Sequence, residues 1–140
     1  MRIMGIDYGA ARTGIALSDP GCIIAQGIET IHSGSAAKVS KRAAFIAKQN
    51  EVGIIVLGLP KNMNNTLGER AELSLKLADK LRSMTGLEVV MWDERLSTVG
   101  ASGYLRDAGV RGDKRKEVID AAAAQIILQS YLEFKNKKGE

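Results

Sequence analysis

The hydrophobic pattern of this chain changes its period after Ser35, and that change constrains the fold more than any other feature. Before it, three short apolar segments, residues 2–7, 14–18 and about 22–31, are separated by tight turns. The Asp-Pro-Gly turn at 19–21 is a strong signal, because proline presets one turn dihedral and glycine tolerates positive φ. Three strands joined by short turns predict an antiparallel meander.

Helices and strands alternate through the rest of the chain. Four segments have apolar residues at helical spacing, and these are the predicted helices: residues 36–50, 68–84, 97–108 and 118–134. Continuously apolar segments predict buried strands at 53–57 and 88–92. We interpret residues 111–116 as the nearest thing to a linker and residues 135–140 as a frayed, charged tail.

The order of these elements is that of the RNase H-like α/β fold. Strand–helix–strand crossovers make the fourth and fifth strands parallel to each other and, most simply, to the first. We therefore predict an RNase H-like α/β fold with a five-stranded mixed sheet, three antiparallel strands followed by parallel ones, and flanking helices. A length of 140 residues fits one domain, so we assign residues 1–140 to a single domain.

Acidic residues follow the ends of two predicted parallel strands. The first strand ends on Asp7 and the fifth on Asp93 and Glu94, whereas the fourth ends on Gly58, which has no side chain to fill the space. The carboxyl ends of parallel strands lie at one edge of a sheet, where ligands bind in open α/β folds. If the fourth strand lies between the other two, Asp7 and Glu94 flank a gap above Gly58. Two carboxylates placed there repel each other unless a cation or a proton joins them.

A further acid, Asp120, lies on the apolar stripe of the last predicted helix, which also carries Ala123, Ala124 and Ile127. A carboxylate on an inward-facing stripe is unfavourable by roughly several kcal/mol unless it is paired or coordinated. The small residues at 121–124 should let this helix approach the sheet closely and bring Asp120 towards the same edge.

Each acid also has a simpler structural interpretation. Asp7 alone fits a turn-forming residue. Asp93 or Glu94 fits an ion pair with Arg95 or a helix cap. Asp120 fits the first turn of its helix, where the dipole favours negative charge. The convergence of the acids favours a metal site instead, with Asp93 as an additional candidate ligand.

An all-carboxylate site suits a hard divalent cation, and we expect Mg²⁺ or Mn²⁺, as two ions. Two such ions roughly 4 Å apart can activate a water and stabilise the leaving oxygen of a phosphodiester. This chemistry needs no nucleophilic side chain, in agreement with a chain that has one His and one Cys.

The charge balance is compatible with a nucleic-acid partner. Lys and Arg outnumber Asp and Glu by 20 to 16, a net charge of +4. The predicted phosphate contacts are Arg12, Arg95, Lys114 and Lys116, although a solvated loop explains the basic run at 114–116 equally well. Two Phe, three Tyr and one Trp are too few to make base stacking the main binding device.

The scarcity of cysteine is consistent with a reducing compartment, since Cys22 alone cannot form an internal disulfide. We interpret Cys22 as a buried structural thiol and His32 as a surface loop residue, which leaves no zinc site of the usual Cys/His kind. The N-terminal segment reaches Asp7 too early for a signal peptide, and no apolar stretch approaches a membrane span. We expect a cytoplasmic protein without a membrane partner.

Several segments, in one order and over nearly the whole chain, resemble the YqgF/RuvX family; they are residues 5–9, 12–19, 58–63, 93–98 and 120–132. The resemblance implies an RNase H-like fold related to the Holliday-junction resolvase RuvC. It also implies a nuclease that matures the 5′ end of pre-16S rRNA in ribosome biogenesis. The family's three acidic positions match Asp7, Glu94 and Asp120, with Asp93 adjacent.

Three other functions remain open. A junction resolvase would use the same metal chemistry on branched DNA and would favour a homodimer over a monomer, because two symmetric cuts need two sites. A nucleotide-binding module of the actin and Hsp70 type shares the fold but usually needs a duplicated domain. A non-catalytic RNA-binding factor of ribosomal assembly particles would keep the acids without cutting.

Overall fold

The computed structural model describes the backbone of residues 1–61, 67–96 and 112–138, and the side chains of all these except residues 112–120 and 138. The short helix predicted at 97–108 lies outside the described residues. Within them, the strands are β1 (Arg2–Tyr8), β2 (Thr13–Ser18), β3 (Ala25–Ile31), β4 (Val52–Leu59) and β5 (Glu88–Asp93). The helices are α1 (Ala36–Gln49), α2 (Glu69–Thr85) and α3 (Gly112–Lys138), and a short 3₁₀ helix (Glu94–Leu96) follows β5.

The strands form one mixed sheet in the order β3-β2-β1-β4-β5. The β1–β2 and β2–β3 pairs are antiparallel, whereas β1–β4 and β4–β5 are parallel. The predicted mixed sheet is confirmed, and β4 lies between β1 and β5. The carboxyl ends of β1, β4 and β5 therefore lie side by side, and we refer to this boundary as the carboxyl edge.

Helices cover both faces of the sheet, which explains why the central strands are continuously apolar. On one face, buried side chains of α1 and α2, such as Val39 and Leu77, pack against Ile6 of β1. On the other face, Leu128 of α3 packs against Ile3 of β1. Neighbouring residues of β1 thus contribute to opposite cores.

Helix α3 approaches the sheet closely enough to exclude a side chain. A β-carbon on Gly5 of β1 would lie 2.7 Å from Leu128 Cβ and 3.0 Å from the Ala124 carbonyl oxygen. A β-carbon on Gly27 of β3 would lie 2.8 Å from the Ala121 carbonyl oxygen. These contacts confirm that the small residues at the start of the apolar stripe bring the helix onto the sheet.

The third strand begins at Ala25, so the prediction that it starts at Cys22 is wrong. The Asp19 carboxylate accepts hydrogen bonds from the backbone N–H groups of Ile23 and Ile24, at 2.7 and 2.8 Å, and holds the segment as a loop. Cys22 has a positive φ of 58° and is only partly buried, so its interpretation as a buried thiol is also wrong. His32 is exposed, as predicted.

Helix α3 is longer than predicted at both ends, since it runs from Gly112 to Lys138. Residues 112–116 are therefore helical and not a linker, and residues 135–138 are helical and not a frayed tail. The charged residues of these segments are good helix formers, but they lie outside the apolar stripe that defined the predicted helix. Among the helices described, none has the length and apolar character needed to cross a membrane.

Candidate active site

The Glu94 carboxyl group lies directly above Gly58 at the carboxyl edge. A β-carbon on Gly58 would lie 2.6 Å from Glu94 Oε1 and 3.0 Å from Glu94 Cγ. The same β-carbon would lie 2.9 Å from Ile127 Cδ1 of α3, so the side-chain-free position is filled from two sides. Glu94 opens the 3₁₀ helix after β5, and the absence of a side chain at Gly58 is what allows it to turn in over β4.

Asp7, near the end of β1, is hydrogen-bonded through its side chain to Glu94. Burial raises the pKa of Asp7, while the hydrogen bond to Glu94 and the charge of Arg70 lower it. Burial, together with the hydrogen bond and the negative charge of Asp7, raises the pKa of Glu94 to about 8. A hydrogen bond between two carboxyl groups requires a proton on one of them, so the pair shares a proton near neutral pH. The structure thus brings together two of the acids that the sequence singled out.

Asp93 lies beside this pair but is bound to Arg95. The Arg95 guanidinium contacts the Asp93 carboxylate through Nη2 at 2.6 Å and through Nε at 3.1 Å from both oxygens. The Arg95 backbone N–H donates to the same carboxylate at 3.0 Å. The side-chain hydrogen bond from Arg95 lowers the pKa of Asp93. Asp93 therefore forms the ion pair with Arg95 that the sequence offered as the structural alternative to a metal ligand. The negative charge of Asp93 also contributes to the raised pKa of Glu94.

The backbone of α3 carries Asp120, Lys114 and Lys116, whose side chains lie outside the described ones. Asp120 precedes by one helical turn Ala124, whose carbonyl packs against Gly5 of β1. Where side chains are described, no group of three or more His, Cys, Asp or Glu could hold a metal ion. The described part of the site is thus the Asp7–Glu94 pair, and Asp120 stays a predicted third member.

Arg12 lies in the turn between β1 and β2 and is partly buried. Because Tyr8 pairs with Thr13 across this hairpin, the turn lies at the carboxyl edge, next to the end of β1 that carries Asp7. The contact of Arg12 with a phosphate stays a prediction.

Sequence reasoning missed Arg70, in the first turn of α2. Its Nη2 donates a hydrogen bond of 3.1 Å to the Tyr8 carbonyl, and its guanidinium carbon lies 5.0 Å from the centre of the Tyr8 ring. Its charge lowers the pKa of both Asp7 and Glu94. A cation in the first turn of a helix is unfavourable, because the positive end of the helix dipole lies there. The placement of an arginine at position 70 was therefore the sequence feature that could have indicated a functional role.

The residues present fit a hard divalent cation. Asp7 and Glu94 supply only carboxylate oxygens, which are the preferred ligands of Mg²⁺ and Mn²⁺. Because Gly58 has no side chain, the space above β4 is open to the Glu94 carboxyl group and to a cation bound by Glu94. A cation would replace the shared proton and remove the repulsion that raises the pKa of Glu94.

The order and direction of the strands, with helices on both faces, define an RNase H-like fold. The fold resembles that of Thermus thermophilus RuvC in a complex with a Holliday junction substrate, with a TM-score of 0.68 over 99% of this chain and 97% of the RuvC chain. At 14% sequence identity, that likeness shows the fold alone.

Closer relatives identify the family. Residues 1–134 match the family described as "RuvX: Holliday junction resolvase". A protein of Listeria innocua is 51% identical over 138 residues, which cover 97% of this chain and all of the relative. One of Agathobacter rectalis is 46% identical over 137 residues, 96% of each chain. Both relatives bear the name "Putative pre-16S rRNA nuclease". The chain belongs to the RuvX family, and the resemblance found in the sequence is confirmed.

Proposed function

We propose that this chain is a metal-dependent endonuclease that hydrolyses phosphodiester bonds of pre-16S rRNA at its 5′ end. The observation that supports it best is the Asp7–Glu94 pair above Gly58, on an edge where three parallel strands end. The pair shares a proton that a cation can replace, on the fold of a nuclease family.

Asp7, Glu94 and Asp120 are the proposed metal ligands and catalytic residues, with Asp93 as an additional ligand. The divalent ions, when bound, supply Lewis-acid activation of water and stabilisation of charge on the phosphodiester. Asp7 and Glu94 give up their shared proton and hold negative charge at fixed positions on β1 and after β5. The buried edge limits the water around them, which strengthens their electrostatic interactions.

The proposed substrate contacts are four basic residues, Arg12, Arg95, Lys114 and Lys116. Arg95 has an exposed side chain, and its bond to Asp93 also steadies that carboxylate. Processing of ribosomal RNA would place the protein in the cytoplasm, acting on naked precursor RNA or on a ribosomal assembly particle.

The substrate class rests on the names of the relatives, and the family description favours a second candidate, resolution of branched DNA. Both reactions use the same acids. They differ in the nucleic acid bound and in the need of a resolvase for two sites in one homodimer.

The test is cleavage of a pre-16S 5′-leader RNA and of a four-way DNA junction, with Mg²⁺, Mn²⁺ or EDTA. The wild type is compared with Asp7→Asn, Glu94→Gln and Asp120→Asn. The matched control is Asp79→Asn, an acid on α2 whose described partner is the exposed Arg82. We expect the RNA to be cut with metal, no cutting in EDTA, loss of cleavage in the three variants, and full cleavage by the control.

Cutting of the junction alone would replace this proposal with the resolvase. If neither the RNA nor a precursor ribosomal particle is cut, a non-catalytic RNA-binding factor becomes the better account. If the three variants cut at the wild-type rate, the assigned acids are wrong.

A further inference from the structure

Arg70 lies near the acid pair but does not form an ion pair with either acid. Its charge acts on both Asp7 and Glu94, yet among the described residues no carboxylate lies within the 4.0 Å of an ion pair. An arginine kept near two acids only to neutralise them would be expected to form a bidentate pair with one. Asp93 and Arg95 make such a pair at the same edge.

The guanidinium of Arg70 is fixed by Tyr8 instead. The Tyr8 ring packs beneath it at 5.0 Å, and the Tyr8 carbonyl accepts its Nη2 hydrogen bond at 3.1 Å. Tyr8 itself is 9% exposed, and its hydroxyl donates a 2.7 Å hydrogen bond to the Gly34 carbonyl. The cation therefore rests on an anchored ring, one residue beyond Asp7 on β1.

This arrangement leaves donors for a ligand. A guanidinium has five N–H donors in a planar fork, and that of Arg70 makes one hydrogen bond, to Tyr8, among the residues that the structure describes. A phosphate oxygen pair matches the geometry of such a fork. A half-buried arginine that is held by ring stacking loses little further entropy when it binds an anion.

We propose that Arg70, seated on Tyr8, forms a phosphate-binding subsite for the nucleic-acid backbone next to the position of cleavage. The subsite rests on the proposed nuclease function, because it assigns the anion as a phosphodiester phosphate of the substrate. Its hydrogen bond to the carbonyl of Tyr8, the residue after Asp7 on β1, places this phosphate close to the bond that is hydrolysed. Arg70 acts there in binding and orientation, and Asp7 and Glu94 remain the proposed catalytic groups.

Arg82 provides a matched control on the same helix. Its Nη2 donates to the Val89 carbonyl at 2.8 Å, so it too fixes a strand carbonyl, but from the last turn of α2. If Arg70 only stabilises the fold, as Arg82 does, substitution of either arginine should have the same effect on binding. Loss of a phosphate contact should affect Arg70 variants only.

The experiment measures binding of a fluorescent pre-16S 5′-leader oligonucleotide in EDTA, so that no cleavage occurs, over a range of salt concentrations. We expect Arg70→Gln to weaken binding about tenfold at low salt and to make the slope of log Kd against log salt shallower by roughly 0.7. Arg70→Lys keeps the charge and loses the planar guanidinium fork, so its affinity should lie between those of the wild type and Arg70→Gln. Arg82→Gln should match the wild type, and urea unfolding checks that each variant is folded.

A methylphosphonate scan then locates the contact. Neutralising the phosphate that Arg70 binds should weaken binding of the wild type but not of Arg70→Gln. Wild-type affinity and slope in Arg70→Gln, equal losses in the Arg70 and Arg82 variants, or a scan with no such position would each overturn the subsite. Failure of the nuclease proposal is seen separately, as a wild type that binds the oligonucleotide and never cuts it in Mg²⁺ or Mn²⁺.

Discussion

Glu94 occupies the space that a side chain on Gly58 would need, with its Oε1 2.6 Å from the position of a β-carbon there. Glycine at position 58 is therefore a condition for the acid pair, because any larger residue would push Glu94 away from Asp7. Ile127 Cδ1 of α3 limits the same space, at 2.9 Å from the β-carbon.

Gly58→Ala should lower cleavage by roughly 10²-fold, since displacements of about 1 Å at a catalytic group have effects of that size. We expect it to weaken Mn²⁺ binding as well, and to cost about 1 kcal/mol of stability through the contact with Ile127. The matched control is Gly53→Ala in the same strand, where the three nearest atoms to the added carbon all belong to the flexible side chain of Met1. Isothermal titration with Mn²⁺ and a cleavage assay compare the two, and equal activity would show that Glu94 does not need this space.

The shared proton predicts how the stability of the metal-free protein depends on pH. The pKa of Glu94 is about 8 in the folded state against an ordinary value of 4.5, so between these values the folded protein holds a proton that the unfolded chain has lost. The contribution of Glu94 to the free energy of unfolding is fully present below about pH 4.5 and is lost as the pH rises through 8. The raised pKa of Asp7 acts in the same direction.

In EDTA, the free energy of unfolding should fall by a few kcal/mol between pH 5 and pH 9, since each pKa unit corresponds to about 1.4 kcal/mol. Glu94→Gln should flatten this dependence, because the glutamine cannot lose a proton. Urea unfolding at several pH values measures both. A wild-type stability that is constant or rises over this range would contradict the shared proton.

Metal binding should release that proton. Carboxylate ligands bind a cation in their ionised form, and at pH 7 a Glu94 with a pKa of about 8 is mostly protonated. We expect about one proton to be released per protein at pH 7 and little at pH 9. Titration calorimetry with Mn²⁺ in buffers of different ionisation enthalpy counts the protons. Absence of release at pH 7 would mean that the cation binds elsewhere, and Glu94→Gln is the control that should release none from this position.

The sheet and the acid pair were predictable because both follow from local patterns. Apolar runs located the strands, strand–helix–strand crossovers made the first, fourth and fifth strands parallel, and the carboxyl ends of these strands then had to lie at one edge. Gly58 was informative for the same reason, since its place at the end of β4 put a gap between Asp7 and the acids after β5.

What the sequence did not predict depends on contacts between distant or competing groups. The Arg70 hydrogen bond to Tyr8 joins residues 62 positions apart and depends on how α2 packs at the carboxyl edge. At Cys22, apolar neighbours suggested a strand, but the Asp19 carboxylate offered the backbone N–H groups a local alternative. The role of the Asp120 side chain stays a prediction.

The close contact of α3 with β1 provides a test of that remaining role. A β-carbon on Gly5 would lie 2.7 Å from Leu128 Cβ and 3.0 Å from the Ala124 carbonyl, both on or next to helix backbone. Neither atom can turn away as the end of a long side chain can. Gly5→Ala should therefore shift α3 outwards and destabilise the protein by about 1–3 kcal/mol.

Because Asp120 lies one turn before Ala124, the same shift should move it relative to Asp7 and lower cleavage more than the stability loss explains. Gly86→Ala is the control, since Gly86 follows α2 with φ of +70° and, chain neighbours aside, no atom of the described residues lies within 4 Å of an added β-carbon. It should cost about 1 kcal/mol through its backbone conformation alone and leave α3 in place. Cleavage is measured well below both unfolding midpoints. A Gly5→Ala variant that is destabilised but cuts as fast as Gly86→Ala would show that the position of α3, and with it Asp120, does not set the rate.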